Sequence, residues 1–176
     1  MLIFVSGGSA SGKSALAERV CCALPGPHVY IATMPVRTAE DERKVARHHA
    51  LRADRGFAET LEMPGRLGPV PADATVLFEC LSTFTANRMF SGDPTPPGGW
   101  EAALWDELRP LLDRPGHTVI VSAEVGCDGA DYGALTEGYR AVLTALGVRL
   151  AAAADCAVEA VCGRAAVHKG ALPEAI

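Results

Sequence analysis

Short apolar runs alternate along this chain with longer stretches that carry apolar residues every three to four positions. Leu2-Ile3-Phe4-Val5, His28 to Thr33, Thr75 to Glu79, Thr118 to Ser122 and Cys156 to Cys162 are rich in β-branched and aliphatic side chains, and each predicts a buried strand. Phe57 to Glu62 predicts a further short one. Between them, Ala15 to Leu24, Thr38 to Arg52, Leu81 to Phe90, Glu101 to Leu112 and Leu135 to Ala154 predict helices. Thr38 suits the N-cap of its helix, with acids in the first turn. Pro/Gly-rich Ser91 to Gly99 and the stretch Gly126 to Gly133 predict loops, and Ala171 to Ile176 a frayed tail. Near-continuous apolar strands separated by helices need cover on both faces. The expected fold is therefore α/β, a mostly parallel sheet with helices on both sides.

The first strand runs directly into Gly7-Gly8-Ser9-Ala10-Ser11-Gly12-Lys13-Ser14, and a helix follows. That octet fits G-x-x-x-x-G-K-[ST] in the strand–loop–helix setting a phosphate-binding loop requires. The glycines let consecutive backbone N–H groups face a phosphate, and the helix adds its positive end. Lys13 can reach the β- and γ-phosphates and Ser14 can ligate Mg²⁺. The plainer alternative is a glycine-rich turn without a ligand. A P-loop NTPase-like fold is the expectation.

Composition narrows the rest. A chain of 176 residues, 49% hydrophobic and 21% charged, fits one globular domain over residues 1–176. A net charge of −5, with no basic block, argues against a nucleic-acid partner. No apolar run reaches the ~20 residues of a membrane helix. The six cysteines show no zinc spacing, and the apolar start reads as a strand rather than a signal peptide. A reduced, cytoplasmic protein is expected.

Two further places carry chemistry. Glu79 closes the strand Thr75 to Glu79. Ligands of open parallel sheets bind beyond the carboxyl ends of the strands, so this acid can meet magnesium or a nucleotide hydroxyl. A surface carboxylate that happens to end a strand is the alternative. His48 and His49 stand among Arg43, Lys44, Arg47, Arg52 and Arg55. An imidazole there can be a base, a ligand or a nucleophile, whereas a charge-rich helix more simply faces water. Adjacent helical positions point about 100° apart, so one of the two at most faces a site.

GGSASGKS at residue 7, YIAT at Tyr30 to Thr33, ARHH at Ala46 to His49, FECLSTFTAN at Phe78 to Asn87, SAEVG at Ser122 to Gly126 and RLAAAAD at Arg149 to Asp155 occur in that order. Together they resemble the bifunctional adenosylcobinamide kinase / adenosylcobinamide-phosphate guanylyltransferase family of cobalamin biosynthesis. The resemblance implies phosphorylation of the aminopropanol hydroxyl of adenosylcobinamide. Transfer of GMP from GTP to that phosphate then follows, through a guanylyl-histidine. The family's R-I-x-R-H pattern registers with Lys44 to His48, which makes His48 the first choice of nucleophile and His49 the second.

The implied nucleotide contacts are Gly7, Gly8, Ser9, Ala10, Ser11, Gly12, Lys13 and Ser14, then Ala32, Thr33 and Met34, Arg52 just after the histidine, Glu62 and Glu79. Ser14 and Glu79 would serve Mg²⁺. The implied substrates are GTP, with ATP as the alternative donor, and a small corrinoid; a homotrimer is the implied assembly. The chain departs from the pattern in two places. Arg55-Gly56-Phe57 stands where the family carries R-P and then Trp. Beyond Gly126 only Arg140 of its later motif survives, and Ala123 replaces an asparagine. The rival readings are a P-loop small-molecule kinase without guanylyl transfer and a degenerate GTP-binding module.

Overall fold

A computed structural model describes residues 1–36, 38–43, 46, 55–125, 130, 132–174 and 176. The elements are β1 (Leu2–Gly7), α1 (Lys13–Cys22), β2 (His28–Ala32), β3 (Glu59–Glu62), β4 (Thr75–Glu79), α2 (Leu81–Met89), α3 (Gly99–Leu112), β5 (Thr118–Ala123), α4 (Ala134–Ala153), β6 (Cys156–Val161) and β7 (Arg164–Lys169). Residues 39–43 are also helical, and the rest of the predicted helix at Thr38 to Arg52 lies almost wholly outside the described residues.

One seven-stranded sheet runs in the order β3-β2-β4-β5-β1-β6-β7. Its first six strands are parallel, and β7 returns antiparallel along β6. Consecutive residues of β1 are buried because both faces are covered. Leu2 and Phe4, with Ile31, Phe78 and Ile120, pack under α2, α3 and α4. Ile3 and Val5, with Tyr30, Leu77 and Val121, pack under α1. In α4 the buried residues Tyr139, Leu143, Leu146 and Leu150 recur at intervals of four, three and four, the single apolar stripe of a helix lying on a sheet. Tyr139 also donates its hydroxyl to Ser82 O at 3.0 Å, tying α4 to α2, and burial pushes this phenol up to about 12.

Sequence pattern closes the sheet at Cys156 to Cys162, whereas the structure adds one more strand. The hairpin turns at Cys162 and Gly163, whose φ angles are 48° and 78°. Two positive φ values make the tight turn that matches strand twist. This strand escapes a hydrophobic pattern because it is an edge with most of its residues exposed, so nothing obliges it to alternate.

Candidate functional site

The loop after β1 is held by its own backbone. Gly12 sits at φ +89°, a left-handed conformation that glycine adopts freely. At Gly7 the constraint is space: a Cβ there would lie 2.6 Å from Ser11 Oγ and 2.7 Å from Ala160 O. Ser11 N–H donates to Gly8 O at 3.3 Å, and Gly163 N–H donates to Ser11 O at 2.9 Å. The β6–β7 turn thus braces the loop from the side. Gly8, Ser9 and Ala10 form its outer rim. No side chain caps α1 and no acid stands in its first turn. Its leading N–H groups are left for an anion, with the helix dipole behind them. Lys13 Nζ donates to Gly8 O at 3.1 Å, so the ammonium curls over the loop where phosphate charge would sit.

Glu79 is the centre of the polar network facing this loop. β5 stands between β4 and β1, yet the start of α1 brings Ser14 across to it. Ser14 Oγ donates to Glu79 Oε1, and Tyr30 OH donates to Oε2 at 2.7 Å. Tyr30 is buried and meets Phe57 edge-on at 5.4 Å. Thr33 fixes the backbone beneath: its Oγ1 lies 3.0 Å from Glu79 O and accepts from Cys80 N–H at 2.7 Å. Asn87 Nδ2 then donates to Thr33 O and Pro64 O, both at 2.8 Å. Hydroxyl and carboxylate oxygens meeting beside a phosphate loop are the hard donors magnesium selects. Among the described residues no group of three or more His, Cys, Asp or Glu could hold a metal. Phosphate and water would therefore supply most of the remaining ligands.

The other expected contacts lie along the same carboxyl edge. Ala32 is in register with Glu62 on one side and Glu79 on the other, so the two acids stand two strands, about 10 Å, apart. Ala32 and Thr33 are buried and Met34 is half-buried. Tyr30 opens the YIAT block and Asn87 closes FECLSTFTAN, but the sequence gave neither a role of its own. A tyrosine inside an otherwise aliphatic buried strand needs a partner for its hydroxyl, and that was the available signal. Asn87 gave none, because its partners are backbone carbonyls from distant turns. His48, His49 and Arg52 lie outside the described residues.

On the other side of β1, a cleft of about 220 Å³ opens between β5 and α4, lined by residues including Ser6, Ser122, Glu124, Arg140 and Thr144. Arg140 is its cation. The guanidinium donates to Glu137 Oε1 at 2.7 Å and lies 5.5 Å from the Tyr132 ring centroid. No helix among the described residues is long and apolar enough to cross a membrane.

The chain is similar to known proteins. Residues 3–167 match the family described as CobU, cobinamide kinase / cobinamide phosphate guanyltransferase. The bifunctional adenosylcobalamin biosynthesis protein CobP of Pseudomonas aeruginosa is 33% identical over 140 residues, 77% of this chain and 78% of that protein. Its counterpart CobU of Salmonella typhimurium is 32% identical over 168 residues, covering 88% and 92%. Among solved structures, a prototypical ATPase from the type III secretion system of pathogenic bacteria superposes with a TM-score of 0.51 at 15% identity. That superposition spans 99% of this chain and 59% of the ATPase. It supports the P-loop fold alone.

Proposed function

The chain belongs to the cobinamide kinase / cobinamide phosphate guanyltransferase family, and from that premise we propose that it phosphorylates adenosylcobinamide and then transfers GMP from GTP to the product through a guanylyl-histidine. The observation that carries this reading is the meeting of Lys13, Ser14 and Glu79 at one corner of the sheet. In the first reaction the loop N–H groups and Lys13 hold the triphosphate while its γ-phosphoryl passes to the acceptor hydroxyl. Magnesium, held by Ser14 and Glu79, would add charge neutralisation on the phosphates.

In the second reaction His48 attacks the α-phosphorus of GTP. A P–N bond forms, the bond to the bridging oxygen breaks, and pyrophosphate leaves into the same loop. A phosphate oxygen of adenosylcobinamide phosphate then attacks that phosphorus. The P–N bond breaks and the imidazole returns to its starting state. Two in-line displacements replace one difficult step, which is what covalent catalysis achieves. Nearby arginines, Arg52 among them, would stabilise the oxygens of the transferring group.

A phosphoramidate is labile in acid and stable in alkali. With GTP labelled at the α-phosphorus and Mg²⁺, the wild-type protein should take up label that survives base and leaves in acid. His48→Asn should abolish the label and His49→Asn should keep it. Label lost only in His49→Asn moves the nucleophile by one residue. Label on none of the three proteins removes the guanylyl-histidine and leaves a simple kinase or an inert binding module.

A further inference from the structure

A second groove begins where the phosphate loop ends. It has a volume of about 520 Å³ and is lined, among the described residues, by Gly12, Ala15, Leu16, Glu18, Arg19, Cys22, Arg55 and Gly163. Gly12 belongs to both the loop and the groove, so the two are continuous. Ala15, Glu18, Arg19 and Cys22 follow one face of α1 at helical spacing. From residue 15 to residue 22 that face extends about 10 Å at 1.5 Å per residue, the length of a nucleoside. Its floor is the small side chain of Ala15 and the apolar Leu16, and one wall is the Gly163 turn that braces the loop. The far end is closed by the Arg55–Glu18 ion pair. Arg19 is exposed, and its side chain makes no hydrogen bond or ion pair among the described residues. A planar guanidinium lining a groove with an apolar floor is suited to stack on an aromatic base.

We propose that this groove seats the purine nucleoside of the phosphoryl-donor triphosphate, whose phosphates lie in the Gly7–Ser14 loop. The inference rests on that loop holding a triphosphate, as in the function proposed above. A donor laid this way runs from the groove, past Gly12, to a γ-phosphoryl presented near Ser14 and Glu79. The guanylyl step needs the opposite direction, because pyrophosphate must remain in the loop while the α-phosphorus faces outward. Its guanosine then falls on the Ala32–Met34 and Glu62 side. One phosphate loop with a base seat at each end would let a single corner serve both γ- and α-phosphorus chemistry.

Cys22 reports on the groove from inside. Its thiol donates to Arg55 O at 3.0 Å and is half-buried, and burial raises its pKa, so alkylation is followed at alkaline pH by peptide mass analysis. The probes are magnesium tripolyphosphate, which fills the loop alone, and the β,γ-imido analogues of ATP and GTP. All three should bind by calorimetry. At least one nucleotide analogue should slow Cys22 alkylation by about tenfold, while tripolyphosphate leaves it within about twofold. Ala15→Leu, at an exposed helix position, should weaken the protecting nucleotide by about tenfold and leave tripolyphosphate affinity unchanged, as expected of a pocket overfilled by a few carbons.

Nucleotides that bind without protecting Cys22, or an Ala15→Leu variant that binds them normally, would overturn the groove and leave the phosphate-loop reading standing. If neither tripolyphosphate nor nucleotide binds, both readings fall.

Discussion

The two sides of β1 treat a ligand differently. On the phosphate side, Lys13, Ser14, Tyr30, Thr33 and Glu79 are bonded to one another or to backbone, and the loop itself is braced by Gly163. On the α4 side, the cleft between β5 and α4 carries Arg140, which donates to Glu137 of its own helical turn and lies against the Tyr132 ring. Phosphate is bound by backbone N–H groups and short side chains, which demand one loop geometry and so one sequence. We propose this cleft as the seat of the corrinoid acceptor, and a ligand recognised by side chains projecting from a helix leaves the backbone unconstrained. There the residues can change while the helix stays.

The sharpest way to break this contrast is at Lys13. Its ammonium serves phosphate charge and lies outside the core, so Lys13→Ala should lower kcat/KM by about a thousandfold or more, with stability held within about 0.5 kcal/mol. Steady-state turnover and a thermal melt check both halves. A variant with unchanged turnover would remove the loop from the reaction. A smaller loss is expected at Glu79. Glu79→Gln keeps an acceptor for one hydroxyl but loses the charge, and should weaken Mg²⁺-dependent GTP binding by about ten- to a hundredfold with little change in melting temperature. Unaltered affinity together with a lower melting temperature would make Glu79 a fold residue instead.

The smallest effect should come from the α4 side. Arg140→Ala should raise the KM for the corrinoid acceptor by about three- to tenfold and leave the rate of histidine labelling by GTP unchanged. Slower labelling in that variant would mean that the two sides form one site.

Six strands, the four long helices and the phosphate loop could all be read from the chain, because each leaves a periodic or spaced mark in sequence. Glu79 could be singled out for a similar reason: a lone acid after Val76-Leu77-Phe78 ends a strand that is buried on both faces. What gave no mark is equally specific. The strand Arg164–Lys169 lies outside the core and needs no apolar face. The bonds from Tyr30 to Glu79 and from Asn87 to Thr33 span 49 and 54 residues, so they depend on strand order rather than on any local pattern. The order itself, with β5 inserted between β1 and β4, is a choice of long-range pairing that hydrophobic periodicity does not encode.

The brace from Gly163 to Ser11 joins positions 152 apart, and β1 itself pairs only with β5 and β6. β1 therefore waits for partners made more than a hundred residues later. Until β6 has left the ribosome β1 has at most one neighbour, and until the β6–β7 turn follows the loop at residues 7–14 has no side wall. Contacts this distant in the chain carry a large loop-closure cost and form late in folding. The loop then gains its full setting for nucleotide only once the β6–β7 turn has been made. Cellular triphosphate would act on this protein as a late stabiliser of the folded state, rather than as a template for nascent structure.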